Sequence, residues 1–184
     1  MRIISGTARG LKLDSLKGND ITRPTLDRVK ESLFNILHTK ISDSIVLDLF
    51  AGSGALGIEC ASRGAKKVTF CDKDRKAIAV IKQNVKKARV EQKVEIIQGD
   101  FKDCLAGKEK YDIIFLDPPY ATNLAIEALQ QIIEKSCLTQ EGIVVIETDD
   151  EERIEKEIEK LSPTVDVYDR RKYGRVKLIF VRKG

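Results

Sequence analysis

Long hydrophobic runs are absent from this sequence of 184 residues. The longest uninterrupted apolar stretches, such as residues 78–81 and 113–116, are far shorter than the roughly 20 residues that a membrane-spanning helix needs. The amino terminus also lacks the run of about seven apolar residues found in a secretory signal peptide. We therefore expect a cytoplasmic protein that does not enter a membrane.

Metal ligands are scarce as well. The chain has one histidine, His38, and its four cysteines, Cys60, Cys71, Cys104 and Cys137, lie at least 11 residues apart. Zinc sites need closely spaced Cys and His ligands, so we predict that the protein holds no metal. The cysteines are predicted to be reduced, buried and packed as small apolar side chains.

Charge is abundant but unevenly spread along the chain. The sequence has 33 Lys and Arg and 29 Asp and Glu, a net charge of +4. Residues 1–40 carry eight basic and four acidic residues, and residues 170–184 carry seven basic and no acidic residues. The segment between them holds the remaining 18 basic and 25 acidic residues. Two basic ends thus flank an acidic middle, which favours a polyanionic partner contacted by both ends.

Short runs rich in Val and Ile alternate with longer amphipathic segments. The runs predict strands over residues 44–49, 67–71, 94–98, 111–116 and 143–147. The amphipathic segments predict helices over residues 55–63, 75–89, 124–136 and 151–161. Since strands buried on both faces are typical of parallel sheets covered by helices, the pattern predicts one α/β domain.

The two ends of the chain depart from this alternation. Residues 2–5 and 10–14 are predicted to pair as a hairpin, and an amphipathic helix capped by Thr25 follows. The apolar face of that helix carries Val29, Leu33, Phe34 and Leu37. Near the carboxyl terminus, residues 165–169 and 176–181 predict an antiparallel hairpin with the basic residues 170–175 at its tip.

A glycine-rich segment follows the first strand of the alternating series. Asp48 ends that strand, Gly52 and Gly54 lie in the turn, and Gly57 falls in the first turn of the next helix. Glycines let a backbone approach a ligand closely, and the start of a helix offers unpaired N–H groups. Asp72 follows the next strand, where a carboxylate can accept both hydroxyls of a ribose. This pattern predicts a site for a nucleoside-containing cofactor.

The glycine spacing leaves two cofactors open. It fits an NAD-dependent oxidoreductase, but Asp48 would bring a negative charge beside a pyrophosphate, whereas S-adenosylmethionine carries ammonium and sulfonium groups. After the third strand, Asp100 can accept from an adenine amino group while Phe101 packs on the ring. Asp100 can equally be a residue that only caps its loop.

The fourth strand ends in Asp117-Pro118-Pro119-Tyr120. The prolines fix φ and lack N–H donors, so the carbonyls around them can only accept. Together with Asp117 they form an acceptor wall suited to a substrate NH₂ group, and Tyr120 offers a flat face on which a base can stack. The alternatives are a rigid turn or a peptide-recognition motif.

These motifs resemble those of the class I S-adenosylmethionine-dependent amino-methyltransferases. Among them, the sequence resembles the bacterial RsmD family, which methylates N2 of a guanine in 16S ribosomal RNA. The resemblance covers nearly the whole chain. It rests on residues 2–10, 23–37, 48–54, 117–120 and 172–174.

The resemblance implies a Rossmann-like methyltransferase fold: a mostly parallel seven-stranded sheet with a carboxyl-terminal antiparallel hairpin, in a single domain of residues 1–184. Residues 1–40 would form an extension that closes the site, with Thr25 and Arg28 near the cofactor. Asp72, which stands where many relatives have Glu, would hold the ribose, and Asp100 the adenine amine. The enzyme would act as a monomer on ribosomal RNA, within a small-subunit particle.

The basic ends supply the residues expected to contact RNA. They are Arg9, Arg23, Arg170, Arg171, Lys172 and Arg175, with Tyr173 beside them. Adenine-N6 enzymes share the tetrapeptide, so an adenine-N6 or other nucleic-acid amino-methyltransferase is an alternative. A non-catalytic RNA-binding protein is another.

Overall fold

A computed structural model describes residues 1–16, 24–120 and 122–184. Within these ranges the strands are β1 (Ile45–Asp48), β2 (Lys67–Asp72), β3 (Val94–Gln98), β4 (Tyr111–Leu116), β5 (Leu138–Thr148), β6 (Val165–Tyr173) and β7 (Val176–Lys183). The helices are α1 (Pro24–Ile36), α2 (Ala55–Ser62), α3 (Arg75–Ala88), α4 (Phe101–Cys104), α5 (Leu124–Glu134) and α6 (Glu151–Glu159). A 3₁₀ turn covers Glu91–Lys93.

The seven strands form one sheet in the order β3-β2-β1-β4-β5-β7-β6. Strands β1 to β5 run parallel, and β7 pairs antiparallel with both β5 and β6. The predicted Rossmann-like α/β fold is confirmed. The chain moves outward from β1 to β3 and then returns to place β4 on the other side of β1. Ligands of such sheets bind where the strand order reverses, which here is between β1 and β4.

Helices cover both faces of this sheet. One buried cluster joins α1, α2 and α3 to the sheet, and a second joins α4, α5 and α6 to the opposite face. The face predicted for α1 is confirmed, since Val29, Leu33, Phe34 and Leu37 are all buried. Phe34 packs on Phe115 of β4 with the ring centroids 6.3 Å apart. The first helix is therefore part of the core and is fixed relative to the sheet.

The predicted elements are confirmed with shifted ends. The four helices predicted after the glycine segment each end within two residues of the expected position. Strand β5 begins at Leu138, because Leu138 pairs with Tyr111 of β4 ahead of a register shift that precedes Ile143. Helix α1 begins at Pro24, so Thr25 lies inside its first turn and the prediction that Thr25 caps it is wrong. The amino-terminal hairpin is reduced to one antiparallel bridge between Arg2 and Lys12.

The carboxyl-terminal hairpin differs from expectation at its tip. Strand β6 continues to Tyr173, and its ladder pairs Arg170, Arg171 and Lys172 with residues of β7. The prediction that these three basic residues lie in the connecting loop is wrong, because the strand pairing runs on through them. The turn itself is Gly174-Arg175, with Gly174 at a φ of +63°.

The cysteines are all buried, but not all are reduced. Cys71 at the end of β2 forms a disulfide with Cys104 in α4, whereas Cys60 and Cys137 are free. The prediction of four reduced thiols is therefore wrong for this pair. The two cysteines are 33 residues apart in the sequence, and only the packing of α4 against β2 brings them together. None of the helices in the described ranges has the length and apolar character required to span a membrane.

Candidate active site

The carboxyl ends of the parallel strands meet beside the point where the strand order reverses. A cavity of about 1180 Å³ opens there. The segments that follow β1, β2, β3 and β4 line it, together with the end of β5, part of α1 and part of the amino terminus. Its lining includes Asp48, Gly52, Asp72, Asp100, Phe101, Asp117, Pro118, Pro119, Tyr120 and Glu147. The structure thus brings the glycine loop and the Asp-Pro-Pro-Tyr segment to one cavity.

The loop after β1 is held by a carboxylate of the neighbouring strand. The N–H of Gly52 donates to Oδ2 of Asp72 at 2.9 Å, and the N–H of Asp74 donates to Oδ1 at 2.8 Å. Gly52 has a φ of +54°, a conformation that favours glycine. Each carboxylate oxygen carries two lone pairs, so Asp72 can fix the loop and still accept from a ligand.

The other two glycines of the segment pack against the protein. A Cβ at Gly57 would lie 2.3 Å from the ring of Phe70 in β2, and a Cβ at Gly54 would lie 3.3 Å from both Phe70 and Ile81. Neither glycine lines the cavity. Their small size lets α2 approach the sheet closely, and the predicted contact of Gly54 and Gly57 with a cofactor stays a prediction.

Asp48 is a buried carboxyl group at the floor of the cavity. It is 2% exposed, and its Oδ2 accepts the N–H of Gly57 at 3.1 Å. Burial raises the pKa of Asp48 to about 7, the charge of Asp72 acts in the same direction, and the hydrogen bond from Gly57 opposes them. A cation in the cavity would favour the ionised form of Asp48.

Asp100 and Phe101 begin the short helix α4. The side chain of Asp100 accepts the N–H of Lys102 at 3.0 Å and so caps the helix. Phe101 is 4% exposed, and its ring lies 5.9 Å from that of Phe50. The capping interpretation of Asp100 holds in the structure. Both residues also line the cavity, and their contact with a cofactor stays a prediction.

The Asp-Pro-Pro-Tyr segment follows β4 directly. The hydroxyl of Thr122 donates to the carbonyl of Pro119 at 2.7 Å, and Asp117 opens into the cavity. The surrounding protein reduces the hydration of the Asp117 carboxylate, which raises the pKa of Asp117 well above its usual range. The nearby charges of Glu147 and Asp48 raise this pKa further. Tyr120 is 45% exposed, the largest exposure of a bulky hydrophobic side chain in the described ranges.

Glu147 is a cavity residue that the sequence motifs do not identify. It lies near the end of β5, and the register that pairs Leu116 with Ile146 sets it beside Asp117. The hydroxyl of Tyr120 donates to Oε1 of Glu147 at 3.0 Å. Burial raises the pKa of Glu147, against the effect of that hydrogen bond. Its position at the carboxyl end of a predicted parallel strand is the signal that would have found it.

Helix α1 borders the cavity, and its residues in the cavity lining were not among the cofactor contacts predicted from the sequence. Asp27, Lys30 and Leu33 line it, whereas Arg28 is exposed and does not. The side chain of Thr25 and the whole of Arg23 lie outside the described residues. The extension therefore adjoins the cavity, and the roles predicted for Thr25, Arg28 and Arg23 remain predictions.

A buried ion-pair cluster, centred on Glu59 of α2, fixes the extension in place. Oε2 of Glu59 lies 3.0 Å from Nζ of Lys30 in α1, and Arg63 Nε donates to Oε1 at 2.7 Å. The N–H groups of Ile4 and Ser5 also donate to this carboxylate. Burial alone would raise the pKa of Glu59, but these partners together lower it. One carboxylate thus joins the amino terminus, α1 and α2.

The predicted RNA contacts fall into two groups. Arg170, Arg171 and Lys172 pair with Glu155, Asp169 and Glu151, respectively. Arg9 and Arg175 are exposed and form no ion pair within the described part of the chain. They are the basic side chains of the predicted set that are most available to a phosphate.

The carboxyl-terminal hairpin turns at the same edge of the sheet as the cavity. Glu147 of β5 pairs with Leu178 near the start of β7. Tyr173 is half-buried, and its hydroxyl is hydrogen-bonded to that of Ser32 in α1. The two basic ends of the chain therefore meet beside the cavity.

Comparisons with known proteins agree over most of the chain. The family model described as Conserved hypothetical protein 95 matches residues 1–182. The Haemophilus influenzae protein named Ribosomal RNA small subunit methyltransferase D is 40% identical over 153 residues, or 81% of this chain and 79% of that protein. The Escherichia coli K12 protein of the same name is 35% identical over 166 residues, or 90% of this chain and 79% of that protein. The solved structure of the Escherichia coli protein yhhF, 30% identical, matches with a TM-score of 0.84 and covers 100% of this chain and 97% of that one.

Proposed function

The chain belongs to the RsmD family of methyltransferases, and from that premise we propose that it methylates the exocyclic N2 amine of a guanine in 16S ribosomal RNA. The methyl donor would be S-adenosylmethionine. One observation carries the proposal: the carboxylates suited to the cofactor and the Asp117–Tyr120 segment suited to the base line the same cavity.

The carboxylates that line the cavity are suited to this cofactor. Asp48, Asp72 and Asp100 supply carboxylates after three successive strands, and a volume of about 1180 Å³ exceeds the usual range for a single small ligand. Asp72 would hold the ribose hydroxyls and Asp100 the adenine amine, with Phe101 beside the ring. Asp48 would balance the positive charge. When bound, S-adenosylmethionine supplies the activated methyl group on its sulfonium.

The Asp-Pro-Pro-Tyr segment would prepare the amine. Asp117 and the carbonyl of Pro118 accept its two hydrogens and leave the nitrogen lone pair free to attack, while Pro119 keeps the turn rigid. Asp117 then takes the proton that the amine loses, which suits a carboxylate whose pKa is raised. Tyr120 holds the base by stacking, worth about 1–3 kcal/mol. Alignment of the two reactants contributes most, roughly 7–11 kcal/mol of barrier lowering.

The remaining features are part of the same proposal. The protein would act as a single-domain monomer in the cytoplasm, on ribosomal RNA in a small-subunit particle. Residues 1–40 would help to close the site, and Arg9 and Arg175 would contact phosphates. A base stacked inside an RNA helix cannot reach such a cavity, so the target guanine must be flipped out of the helix or presented in an RNA loop.

Ligand binding and label transfer test the proposal together. At about 100 times its Kd, a ligand stabilises its protein by about 2.7 kcal/mol, so S-adenosylmethionine should raise the melting temperature and NADH should not. The labelled methyl group should then appear on 16S RNA from cells that lack the enzyme. Stabilisation by NADH would favour the oxidoreductase, and RNA binding without transfer would favour a non-catalytic protein.

A further inference from the structure

Two carboxylates, rather than one, border the place proposed for the substrate base. β4 and β5 are parallel neighbours, and their register sets Asp117 and Glu147 side by side at the cavity. The mechanism above uses Asp117 and leaves Glu147 without a part in it. A second acidic side chain beside the first is costly, because each disfavours the ionisation of the other.

Glu147 has one oxygen engaged and one available. Its Oε1 accepts the hydroxyl of Tyr120 at 3.0 Å, and that hydroxyl is the one partner of the Glu147 carboxylate in the described ranges. A carboxylate oxygen can only accept a hydrogen bond. Since Tyr120 is the proposed stacking face and Glu147 lines the same cavity in contact with it, the edge of a stacked base would lie beside the Glu147 carboxylate.

Guanine differs from the other amino-bearing bases at that edge. Beside its amine it carries a second donor, N1–H, whereas adenine and cytosine carry a ring-nitrogen acceptor beside theirs. Two adjacent acceptors therefore match the two adjacent donors of guanine. With adenine, the second carboxylate would face a lone pair.

We propose that Glu147 is a specificity-determining residue that selects guanine by accepting its N1–H while Asp117 accepts from its N2 amine. This inference rests on the proposed function and deepens it. It also separates this enzyme from adenine-N6 enzymes, because the tetrapeptide alone does not choose between the two bases.

The test compares two substrates and three variants. The substrates are 16S RNA with the mapped target guanine and the same RNA with adenine at that position. Glu147→Gln should lower kcat/KM on guanine by about 10- to 100-fold. Its amide N–H can donate to the adenine ring nitrogen, so the guanine-to-adenine ratio should fall by about tenfold or more. Its affinity for S-adenosylmethionine should match that of the wild type.

Two further variants separate base reading from other effects. Tyr120→Phe keeps the stacking ring and removes only the hydroxyl that holds Glu147, so it should lower the guanine-to-adenine ratio in the same direction as Glu147→Gln but by less. Glu141→Gln, an exposed change in the same strand, should behave as the wild type. An unchanged ratio in Glu147→Gln would overturn the role of Glu147 while leaving the proposed function standing. A wild-type protein that methylates no guanine would overturn both.

Discussion

At the scale of single residues, acidic side chains dominate the site. Asp48, Asp117 and Glu147 lie at the ends of three neighbouring strands, and the pKa of each is raised, chiefly because the surrounding protein reduces the hydration of its charged form. Placing them together destabilises the protein unless a ligand supplies positive charge or N–H donors. A cationic cofactor and a donor-rich base supply both.

Asp117 should be needed for transfer but not for cofactor binding. We expect Asp117→Asn to lower the rate of methyl transfer by about 100-fold or more, because the amide is a poorer acceptor and cannot take the proton. Single-turnover transfer and calorimetric binding of S-adenosylmethionine measure the two steps separately. The exposed Asp166→Asn change in β6 is the matched control. Near wild-type transfer by Asp117→Asn would remove the assignment.

Asp48 should make the protein less stable as pH rises. Its pKa in the folded state, about 7, lies above the ordinary value, so its contribution is fully present below the unfolded pKa and is lost as pH rises through 7. Between about pH 5 and 8 the loss should be roughly 2–3 kcal/mol. Asp48→Asn should remove this part of the pH dependence, as urea unfolding at several pH values would measure. An identical pH profile in the variant contradicts the assignment.

Sequence reasoning identified the residues that stand in motifs. Asp48, Asp72 and Asp117 all lie at strand ends, and parallel strands bring such ends to one edge. Glu147 belongs to no motif, so it was missed. The packing of Gly57 against Phe70 joins residues distant in the sequence, so the motif does not show it.

At the scale of elements, the Glu59 cluster joins the extension to the core. Glu59→Gln leaves Lys30 buried without its charged partner, so we expect a loss of about 3–5 kcal/mol in the free energy of unfolding. Chemical denaturation measures this. Glu95→Gln, which breaks an exposed pair with Lys67, should cost less than about 1 kcal/mol. Equal effects of the two changes would show that the cluster does not hold the extension.

Periodicity predicted most elements because their apolar positions recur at the spacing of a helix or a strand. It did not predict α4, since four residues are too few to show a period. It also ended β6 too early, because Arg170, Arg171 and Lys172 are polar yet continue the ladder. The end of β6 is set by its pairing with β7, which the local sequence does not show.

At the scale of the whole molecule, the acidic and basic parts of the sequence occupy different places in the structure. The acidic middle of the chain supplies the cavity, and the two basic ends meet beside it through Ser32 and Tyr173. Periodicity predicted neither the strand order nor this meeting. The resemblance to a family predicts seven mostly parallel strands and the antiparallel hairpin, but the strand order comes from the structure. Packing between distant segments, including the Cys71–Cys104 disulfide, is shown neither by periodicity nor by the resemblance.

The basic ends should set the salt dependence of RNA binding. Replacing Arg9 or Arg175 by Ala should weaken binding to all RNA sequences alike and reduce the slope of log K against log salt by about 1 for each residue. Titrations at several salt concentrations measure the slope. Lys108→Ala, which removes an exposed charge before the amino end of β4, is the control. A slope that stays constant in both arginine variants would exclude them as phosphate contacts.

The identity of the methylated nucleoside tests the central claim most directly. Small-subunit particles and 16S RNA from cells lacking the enzyme would be incubated with the protein and labelled S-adenosylmethionine, digested to nucleosides and analysed by mass spectrometry. We predict that the label appears in N2-methylguanosine. Label in N6-methyladenosine, or in no nucleoside, would contradict the account.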